Sequence, residues 1–344
     1  MAIIILSLIL INDSDGTLNG IIGKFSAVFP IFILLGCTKQ EAQENLALIQ
    51  SVLMYIFIPS IILHLILFVV NIPPAFMSTM SASASYVFKN YIILVRNEDL
   101  YPLRFCSIFL EPGYLGVLCS FLLYTDDFDF SKKCNKVILL ALIVSLSLAG
   151  WLITFFAYLL YTFKPTPKAF KKLCIILLVG FGIYYGSGVY NGGNNIVNNL
   201  IFDRIGFDKN KGIKGNNRFT ETTDIYYEWL VKSGKFWNGI GINEINKINN
   251  YNKSLNQGAI EGAGYKIFIL TKGFSMVVYF VVIYVLLSLS CTNRKYSFIF
   301  FGLICLTFIQ AAYPLSTSWL VPFCLGLKLH DTKKNLSLDS KKRA

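Results

Sequence analysis

The stretch that decides the fold class reads RFCSIFLEPGYLGVLCSFLLY and spans residues 104–124. After Arg104 it contains a single charged side chain, Glu111, and is otherwise apolar enough to enter a bilayer. A charge at the bilayer centre costs about 2.5–3.5 kcal/mol on insertion scales, so such residues usually face a water-filled cavity and mark function. Pro112 is expected to start or break a helix, because it has no backbone N–H. The segment therefore predicts a polar site near one face of a membrane, within a bundle of hydrophobic helices.

The composition also indicates a membrane protein. Of the 344 residues, 55% are hydrophobic and 15% are charged, and the mean hydropathy is +0.58. A soluble domain carries about 25% charged residues, so this chain lacks the polar surface for a globule of its size. The net charge of +12 does not predict nucleic-acid binding, because the lysines occur in short runs between apolar segments, as the positive-inside rule describes. The eight cysteines have no CxxC spacing, which predicts buried free thiols.

Several apolar stretches approach the length of about 20 residues that a spanning helix needs. They cover residues 18–36, 46–70, 105–124, 137–163, 173–190, 266–290, 296–313 and 315–329. The predicted fold is all-α, a polytopic membrane helix bundle in which residues 1–344 form one domain. The polar stretch 191–265 is predicted to be a large extracytoplasmic loop within that domain.

The stretch 137–163 allows two interpretations. It is long enough for one tilted helix, yet lysine runs flank both of its ends, and a single crossing would put one run on the outer side. Two short helices hinged near Ser147–Gly150 return both runs to the cytoplasm. We therefore favour a helical hairpin over a single helix.

The outer loop contains a helical pattern. Residues 218–231 read RFTETTDIYYEWLV, with apolar or aromatic side chains at helical spacing. The pattern predicts a short amphipathic helix on the membrane face with Thr222 or Thr223 as its N-cap. An ordered linker is the alternative.

The arginines are distributed unevenly. The predicted topology places residues 71–104 and 191–265 outside. Four of the six arginines then lie on the outer side: Arg96, Arg104, Arg204 and Arg218. A guanidinium can grip phosphate in bidentate fashion, whereas a lysine ammonium is a compact point charge. External arginines therefore suit the diphosphate at the head of a lipid, although ordinary surface ion pairs are the alternative for each of them.

Glu111 is the best candidate for a general base. The two histidines, His64 in an apolar helix and His330 in the cytoplasmic tail, are not expected to share a site with the outer loops. A structural ion pair with Arg104 is the alternative role for Glu111. Asp127-Phe-Asp129 matches a metal-binding DxD pattern but lies in a short loop, so it is predicted to be a solvated turn. Further candidate carboxylates are Glu221, Asp224, Glu228 and Glu261.

The segment Arg104…Glu111-Pro-Gly-Tyr-Leu-Gly116 resembles the outer-face motif of bacterial O-antigen and capsular polysaccharide polymerases. Three further features fit that family: the turn Ser147–Gly150, the loop motif Trp237-Asn-Gly-Ile-Gly-Ile242, and the Arg-x10-Gly spacing of Arg204 and Gly215. The related O-antigen ligases carry a functional histidine in the long loop and usually an arginine after the hairpin serine. This chain has neither feature, which favours a polymerase.

The resemblance implies a metal-independent membrane glycosyltransferase without a cofactor, located in the bacterial inner membrane as a multi-pass protein. It would polymerise polyprenyl-diphosphate-linked oligosaccharide repeat units on the outer face. The catalytic residues implied are Glu111, as the base or the orienter of an arginine, and Arg104, Arg204 and Arg218, which would bind the diphosphate or glycan. The predicted substrate-binding residues are Arg96, Tyr114, Glu221 and Asp224.

The expected partners are the lipid-linked oligosaccharide and the bilayer, with a chain-length regulator and a flippase as further candidates and no nucleic acid. Two alternatives remain for the function: a ligase-type transferase, or a transporter or flippase for a lipid-linked sugar. Transporters often contain paired halves with interrupted helices, and no such internal symmetry is visible in this sequence.

Overall fold

The structure is a computed structural model in which most of the described chain is helical. This confirms the coarse prediction of a helical fold. The description covers residues 22, 29, 31–81, 85–97, 103–162, 167–195, 198, 207–208, 212–213, 220–255, 257–262, 264–308 and 316–331. Most of the predicted span 18–36 lies outside these residues.

The helices follow the apolar stretches of the sequence but are mostly shorter than predicted. Their bounds are α1 Lys39–Ile66, α2 Pro112–Thr125, α3 Lys133–Val144, α4 Leu148–Ala157, α5 Pro167–Val189, α6 Glu221–Lys232, α7 Ile242–Ser254, α8 Tyr265–Lys272, α9 Phe274–Ser290, α10 Arg294–Phe308 and α11 Thr317–Leu329. A π-helical turn, Tyr158–Thr162, extends α4. Short 3-10 turns lie at Tyr190–Gly193 and Lys235–Trp237.

Two small β-structures were not predicted. The antiparallel strands β1 Phe76–Ser81, β2 Ser85–Asn90 and β3 Val95–Arg96 form a sheet in that order, and β4 Phe207–Asp208 pairs with β5 Gly212–Ile213. The Val95 N–H donates to the Ser107 carbonyl at 2.7 Å. This bond ties the three-stranded sheet to the segment that precedes α2.

Helix α1 has a well-formed start and two different faces. Its N-cap is Thr38, whose backbone N–H donates to the Glu41 carboxylate at 2.7 Å. Within the described residues, α1 is the one helix that is long and apolar enough to cross a membrane, and 33% of its apolar stretch is buried. Helices α8 and α9 qualify together as a second span, but they are bent by 111°. Helices α2, α4 and α11 are apolar but shorter.

Helix α2 occupies the centre of the bundle. Its first residue is Pro112, which needs no N–H partner in the first turn, so the predicted helix start is confirmed. Every residue from Leu115 to Thr125 is buried. The helix packs against α3, α4 and α11, and the Phe121 ring lies 5.0 Å from that of Phe300 in α10.

The chain reverses between α3 and α4, which confirms the predicted hairpin. The start of α3 and the end of α4 lie at the same end of α2, because Asn135 donates to Asp126 at 2.7 Å and the Tyr158 ring lies 5.6 Å from that of Phe128. The turn lies at the opposite end, where the Ser147 hydroxyl caps α4. Both arms are short, with 12 residues in α3 and 10 in α4.

The two ends of the bundle carry different basic residues. At the end of α2 near Thr125, Lys132 pairs with Asp126 at 2.6 Å, and His330 lies 3.5 Å from Asp127. Burial and the positive charge of Lys39 lower the pKa of His330. We call this the basic end. The opposite end, where α2 begins, holds Arg104 and the strand that carries Arg96, and we call it the arginine end.

A second hydrophobic cluster forms within residues 220–272, which we call the cap. Its buried side chains are Leu230, Ile245, Ile260, Ile269 and Leu270. The helix predicted within residues 218–231 is confirmed as α6, but the predicted N-cap was wrong. The N-cap of α6 is Thr220. Its backbone is extended, and its hydroxyl accepts a hydrogen bond from the Thr223 N–H at 3.1 Å.

Candidate functional site

Arg104 is held at the turn of the hairpin. Its side chain is 8% exposed, and Nε donates to the Ser145 carbonyl at 3.4 Å. Ser145 is the C-cap of α3, so this bond joins the segment before α2 to the α3–α4 turn. Two motifs that are far apart in the sequence therefore meet in the fold.

The backbone around Arg104 is bent in an unusual way. Leu103 has a φ of +65° and Ser107 a φ of +51°, although neither is glycine. Residues other than glycine adopt this left-handed region rarely, and such strain often accompanies functional sites. Between these two bends, Phe105 is fully buried, with its ring 6.5 Å from that of Phe57 in α1. The bends thus orient Arg104 and Phe105 towards the bundle.

His64 lies beside this segment, although it was not expected to share a site with the outer loops. Its ring is 5.5 Å from that of Phe105 and 4.9 Å from that of Phe68, and the Arg96 guanidinium lies 5.4 Å from the Phe68 ring centre. His64 is 1% exposed, and its Nδ1 has no hydrogen-bond partner in the described structure. The sequence feature that could have placed His64 beside this segment is its position near the outer end of the predicted span 46–70.

Glu111 is exposed at the start of α2. It occupies the N-cap position, yet its side chain makes no capping hydrogen bond. Arg104, by contrast, is buried and bonded to the Ser145 carbonyl. The Val95 N–H donates to the Ser107 carbonyl, so the strand that carries Arg96 lies beside the segment that links Arg104 to Glu111. The structure therefore brings these three predicted site residues to one place.

Tyr114 is used to join two helices. Its hydroxyl lies 3.2 Å from the Ser316 hydroxyl and donates to that of Ser318 at the start of α11. The ring packs 4.7 Å from that of Trp319. Tyr114 was predicted to contact substrate, and in this structure its hydroxyl is bonded to α11.

Helices α2 and α4 cross at two glycines. A Cβ on Gly116 would lie 2.5 Å from the Cβ of Ser147, and a Cβ on Gly150 would lie 2.7 Å from the carbonyl carbon of Gly116. A side chain at either position would require the helices to separate. The Ser120 hydroxyl also donates to the Gly150 carbonyl at 2.8 Å. The segments 104–116 and 147–150 therefore form one closely packed unit.

The remaining predicted site residues are separate from this unit or lie outside the described chain. In the cap, the Lys266 ammonium donates to the Asp224 carboxylate at 2.8 Å, and Glu221 is exposed in the first turn of α6. Both carboxylates lie on α6, whereas Arg104 lies at the α3–α4 turn. Arg204 and Arg218 lie outside the described residues, as does Gly215.

The Asp127-Phe-Asp129 loop lies at the basic end, and its exposed Asp127 and half-exposed Asp129 agree with the predicted solvated turn, whereas Phe128 is buried. Burial and the neighbouring Asp126 raise the pKa of Asp127 to about 6, and burial lowers the pKa of His330 to about 4. The Ser131 hydroxyl donates to Asp129 at 2.6 Å and lowers the pKa of that carboxyl. Within the described residues, no group of three acidic, histidine or cysteine side chains could hold a metal ion.

The arginine end thus combines two guanidiniums, an exposed carboxylate and a buried imidazole. Guanidiniums stabilise anionic groups, and a carboxylate can take up a proton from an attacking hydroxyl. Such a set can support the displacement of an anionic leaving group. Comparison with known proteins gives no match, since no protein-family model, curated protein or solved structure is similar to the chain.

Proposed function

We propose that the chain is a multi-pass protein of the bacterial inner membrane that polymerises polyprenyl-diphosphate-linked oligosaccharide repeat units on the outer face. The observation that carries the proposal is the meeting of Arg104 with the hairpin turn at Ser145. The Gly116–Gly150 crossing and the exposed Glu111 lie next to that bond along the chain. These residues belong to the segments on which the resemblance to the polymerase family rests.

The surface of α1 supports a membrane location. Apolar side chains are exposed at every third or fourth position along one face of this helix: Leu48, Val52, Tyr55, Ile58, Ile62 and Leu65. Exposing apolar area to water costs about 25 cal/mol per Å², whereas lipid removes that cost. Helix α5 has the same character, with Ile175, Leu178 and Phe181 exposed. A lipid environment would cover both faces.

The distribution of charge supports an orientation. Lysine-rich loops gather at the basic end, which would face the cytoplasm under the positive-inside rule. The arginine end would then face outwards, where lipid-linked repeat units are polymerised in this family. Helix α1 would run from the inner face at Lys39 to the outer face near His64.

The proposed reaction is a glycosyl transfer between two lipid-linked glycans. The acceptor hydroxyl attacks the anomeric carbon of the donor glycan, the bond from that carbon to the diphosphate oxygen breaks, and the polyprenyl diphosphate leaves with the electron pair. Glu111 takes the hydroxyl proton. Arg104 and Arg96 supply fixed positive charge near the leaving group, and Arg104 is held in place by the Ser145 carbonyl.

The proposal is tested in the source strain lacking this chain, complemented with variants of it. Glu111→Gln should abolish long glycan chains and leave carriers with one repeat unit, because an amide keeps the shape of the side chain but does not accept the proton. Arg204→Ala and Arg218→Ala should have the same effect. The measurement is the glycan length ladder on a gel, with membrane abundance measured in parallel.

The matched control is Glu244→Gln, which removes an exposed carboxylate of α7 that pairs with Lys247. This variant should give a normal ladder. Long glycan chains in the strain that lacks the protein would overturn the proposed function. A normal ladder in Glu111→Gln at normal abundance would remove Glu111 from the chemistry.

A further inference from the structure

The junction between the cap and α9 carries exposed tryptophan and lysine side chains beside the half-buried Phe274. We infer that this surface docks on phospholipid headgroups and fixes the cap against the membrane. Its members are Trp229, Lys232, Lys235, Trp237 and Phe274, which we call the elbow patch. The inference rests on the membrane location of α9 in the proposed function.

The elbow between α8 and α9 is held by close backbone packing. Gly273 joins the two helices with a φ of +78°, and the helices are bent by 111°. A Cβ on Gly239 would lie 2.6 Å from the Gly273 nitrogen, and a Cβ on Gly273 would collide with the Trp237 carbonyl. The Ile240 N–H also donates to the Leu270 carbonyl at 2.8 Å. The glycine-rich loop motif 237–242 therefore seats against the elbow and keeps its angle.

This angle orients the cap. Helix α9 contains no charged residue, and if it crosses the bilayer, a bend of 111° leaves α8 roughly parallel to the membrane surface. Helix α6 packs along α8 through the Lys266–Asp224 ion pair and through the rings of Tyr227 and Tyr265, which lie 6.1 Å apart. These contacts hold α6 next to α8, close to the membrane surface.

The chemistry of the elbow patch suits the headgroup layer. Trp237 is 57% exposed and lies 5.4 Å from Phe274, the first residue of α9. Trp229 is 44% exposed, and the Lys235 ammonium lies 5.6 Å from its ring centre. Tryptophan is enriched at membrane interfaces, and lysine is attracted to anionic lipids. A sugar ring stacked on Trp229 would compete with Lys235 for the aromatic face, so lipid is the favoured partner.

Helix α6 carries acidic side chains at its start and basic side chains at its end. Its first turn carries Glu221 and Asp224, whereas Lys232 and Lys235 lie at its end, next to the elbow. Lys232 also lies 3.9 Å from Glu228, an ion pair exposed to solvent. The basic residues are thus concentrated where the cap approaches α9.

The test uses tryptophan fluorescence of the full chain in nanodiscs containing anionic phospholipid. The chain has four tryptophans, of which Trp229 and Trp237 belong to the elbow patch and Trp151 and Trp319 to α4 and α11. The patch signal is the difference between the wild type and Trp229→Phe with Trp237→Phe. Lipid brominated near the headgroup should quench this signal, and aqueous iodide should quench it weakly.

Lysine substitutions test whether the positive charges of the elbow patch contribute to its binding of anionic lipid. Lys232→Gln with Lys235→Gln should reduce the quenching by headgroup-brominated lipid in anionic nanodiscs. The matched control, Lys247→Gln with Lys253→Gln on α7, should leave it unchanged. An equal effect of both pairs would overturn the assignment of these two lysines to the lipid surface.

The other outcomes separate this inference from the proposed function. Iodide quenching of the patch signal, with Trp151 quenched by deeply brominated lipid, would overturn the elbow inference while the membrane location stands. Failure of any brominated lipid to quench any tryptophan would overturn both. Protection of the patch from iodide by a soluble oligosaccharide instead of lipid would assign this surface to glycan and overturn the inference.

Discussion

Arg104 and Glu111, the two charges of the opening motif, differ in exposure. Arg104 is buried and bonded to the Ser145 carbonyl, whereas Glu111 is exposed at the start of α2. Replacing Arg104 removes a donor from a buried carbonyl, which costs about 1–3 kcal/mol in addition to any effect on chemistry. Replacing Glu111 by Gln changes the chemistry of an exposed group and little else. Variants of Glu111 are therefore the cleaner probe of function.

Asp127 provides a test of electrostatics at the basic end. Burial raises its pKa from 3.8 to about 6, so the folded protein binds this proton more tightly than the unfolded chain. The resulting stability is present below about pH 4 and is lost as the pH rises through about 6. Asp127→Asn should therefore raise the thermal unfolding midpoint at pH 7 and change it little at pH 4. Asn also tolerates the φ of +53° at this position.

The matched control for Asp127 is Asp129→Asn. Hydrogen bonds from Ser131 lower the pKa of Asp129, so this carboxylate stabilises the folded state above its ordinary pKa. Its removal should lower the midpoint at pH 7. Thermal unfolding of the detergent-solubilised protein across this pH range measures both variants, and parallel pH profiles for the wild type and Asp127→Asn would contradict the pKa assignment.

Among the helices, the α2–α4 crossing depends on the absence of side chains. Gly116 and Gly150 let the two backbones approach closely, and the Ser120 hydroxyl bonds to the Gly150 carbonyl in the same contact. Small residues commonly allow such close approach between helices in membranes. The crossing determines the position of the hairpin turn and hence of the Ser145 carbonyl that binds Arg104.

Gly150→Ala should therefore destabilise the protein. The added Cβ meets backbone atoms of Gly116 that cannot rotate away, and overpacking of this kind costs about 1–3 kcal/mol. The control is Gly302→Ala in α10, where nothing lies within 4 Å of the new Cβ. That change should be neutral or stabilising by up to about 1 kcal/mol, because Ala favours helix over Gly. Unfolding midpoints in detergent measure both, and equal midpoints would contradict the close crossing.

Across the whole molecule, the basic end and the arginine end predict a topology. Ser131 lies in the loop at the basic end, whereas Asn250 is exposed on α7 of the cap. The proposed orientation puts the first in the cytoplasm and the second outside. Helices α2, α4 and α11 are short, so the topology depends on where the loops gather as well as on helix length.

Single cysteines at these two positions test the topology. In a background without the native cysteines, Asn250→Cys should react with a membrane-impermeant thiol reagent in intact cells. Ser131→Cys should react only after permeabilisation. Labelling of both positions from the same side would contradict the proposed topology, and loss of labelling after denaturation would expose a failure of the reagent itself.

The sequence alone was sufficient to locate most helices, the start of α2 at Pro112 and the reversal near Ser147. Hydropathy and proline geometry depend on a few neighbouring residues, and lysine runs reflect the orientation of the chain in a membrane. These features can therefore be interpreted without knowing distant contacts. The small sheet was missed, although its three strands pair with their neighbours in the sequence. The choice of Thr220 as N-cap was missed because it depends on local backbone conformation that composition does not reveal.

The tertiary structure decided which distant residues meet. Arg104 meets Ser145, Gly116 crosses Gly150, and His64 lies beside Phe105 because α3 and α4 pack on α2 while α1 packs on α3. The sequence specifies these side chains but not their separation in space. That separation follows from the directions of the helices and from how closely their surfaces fit, which only the folded chain determines.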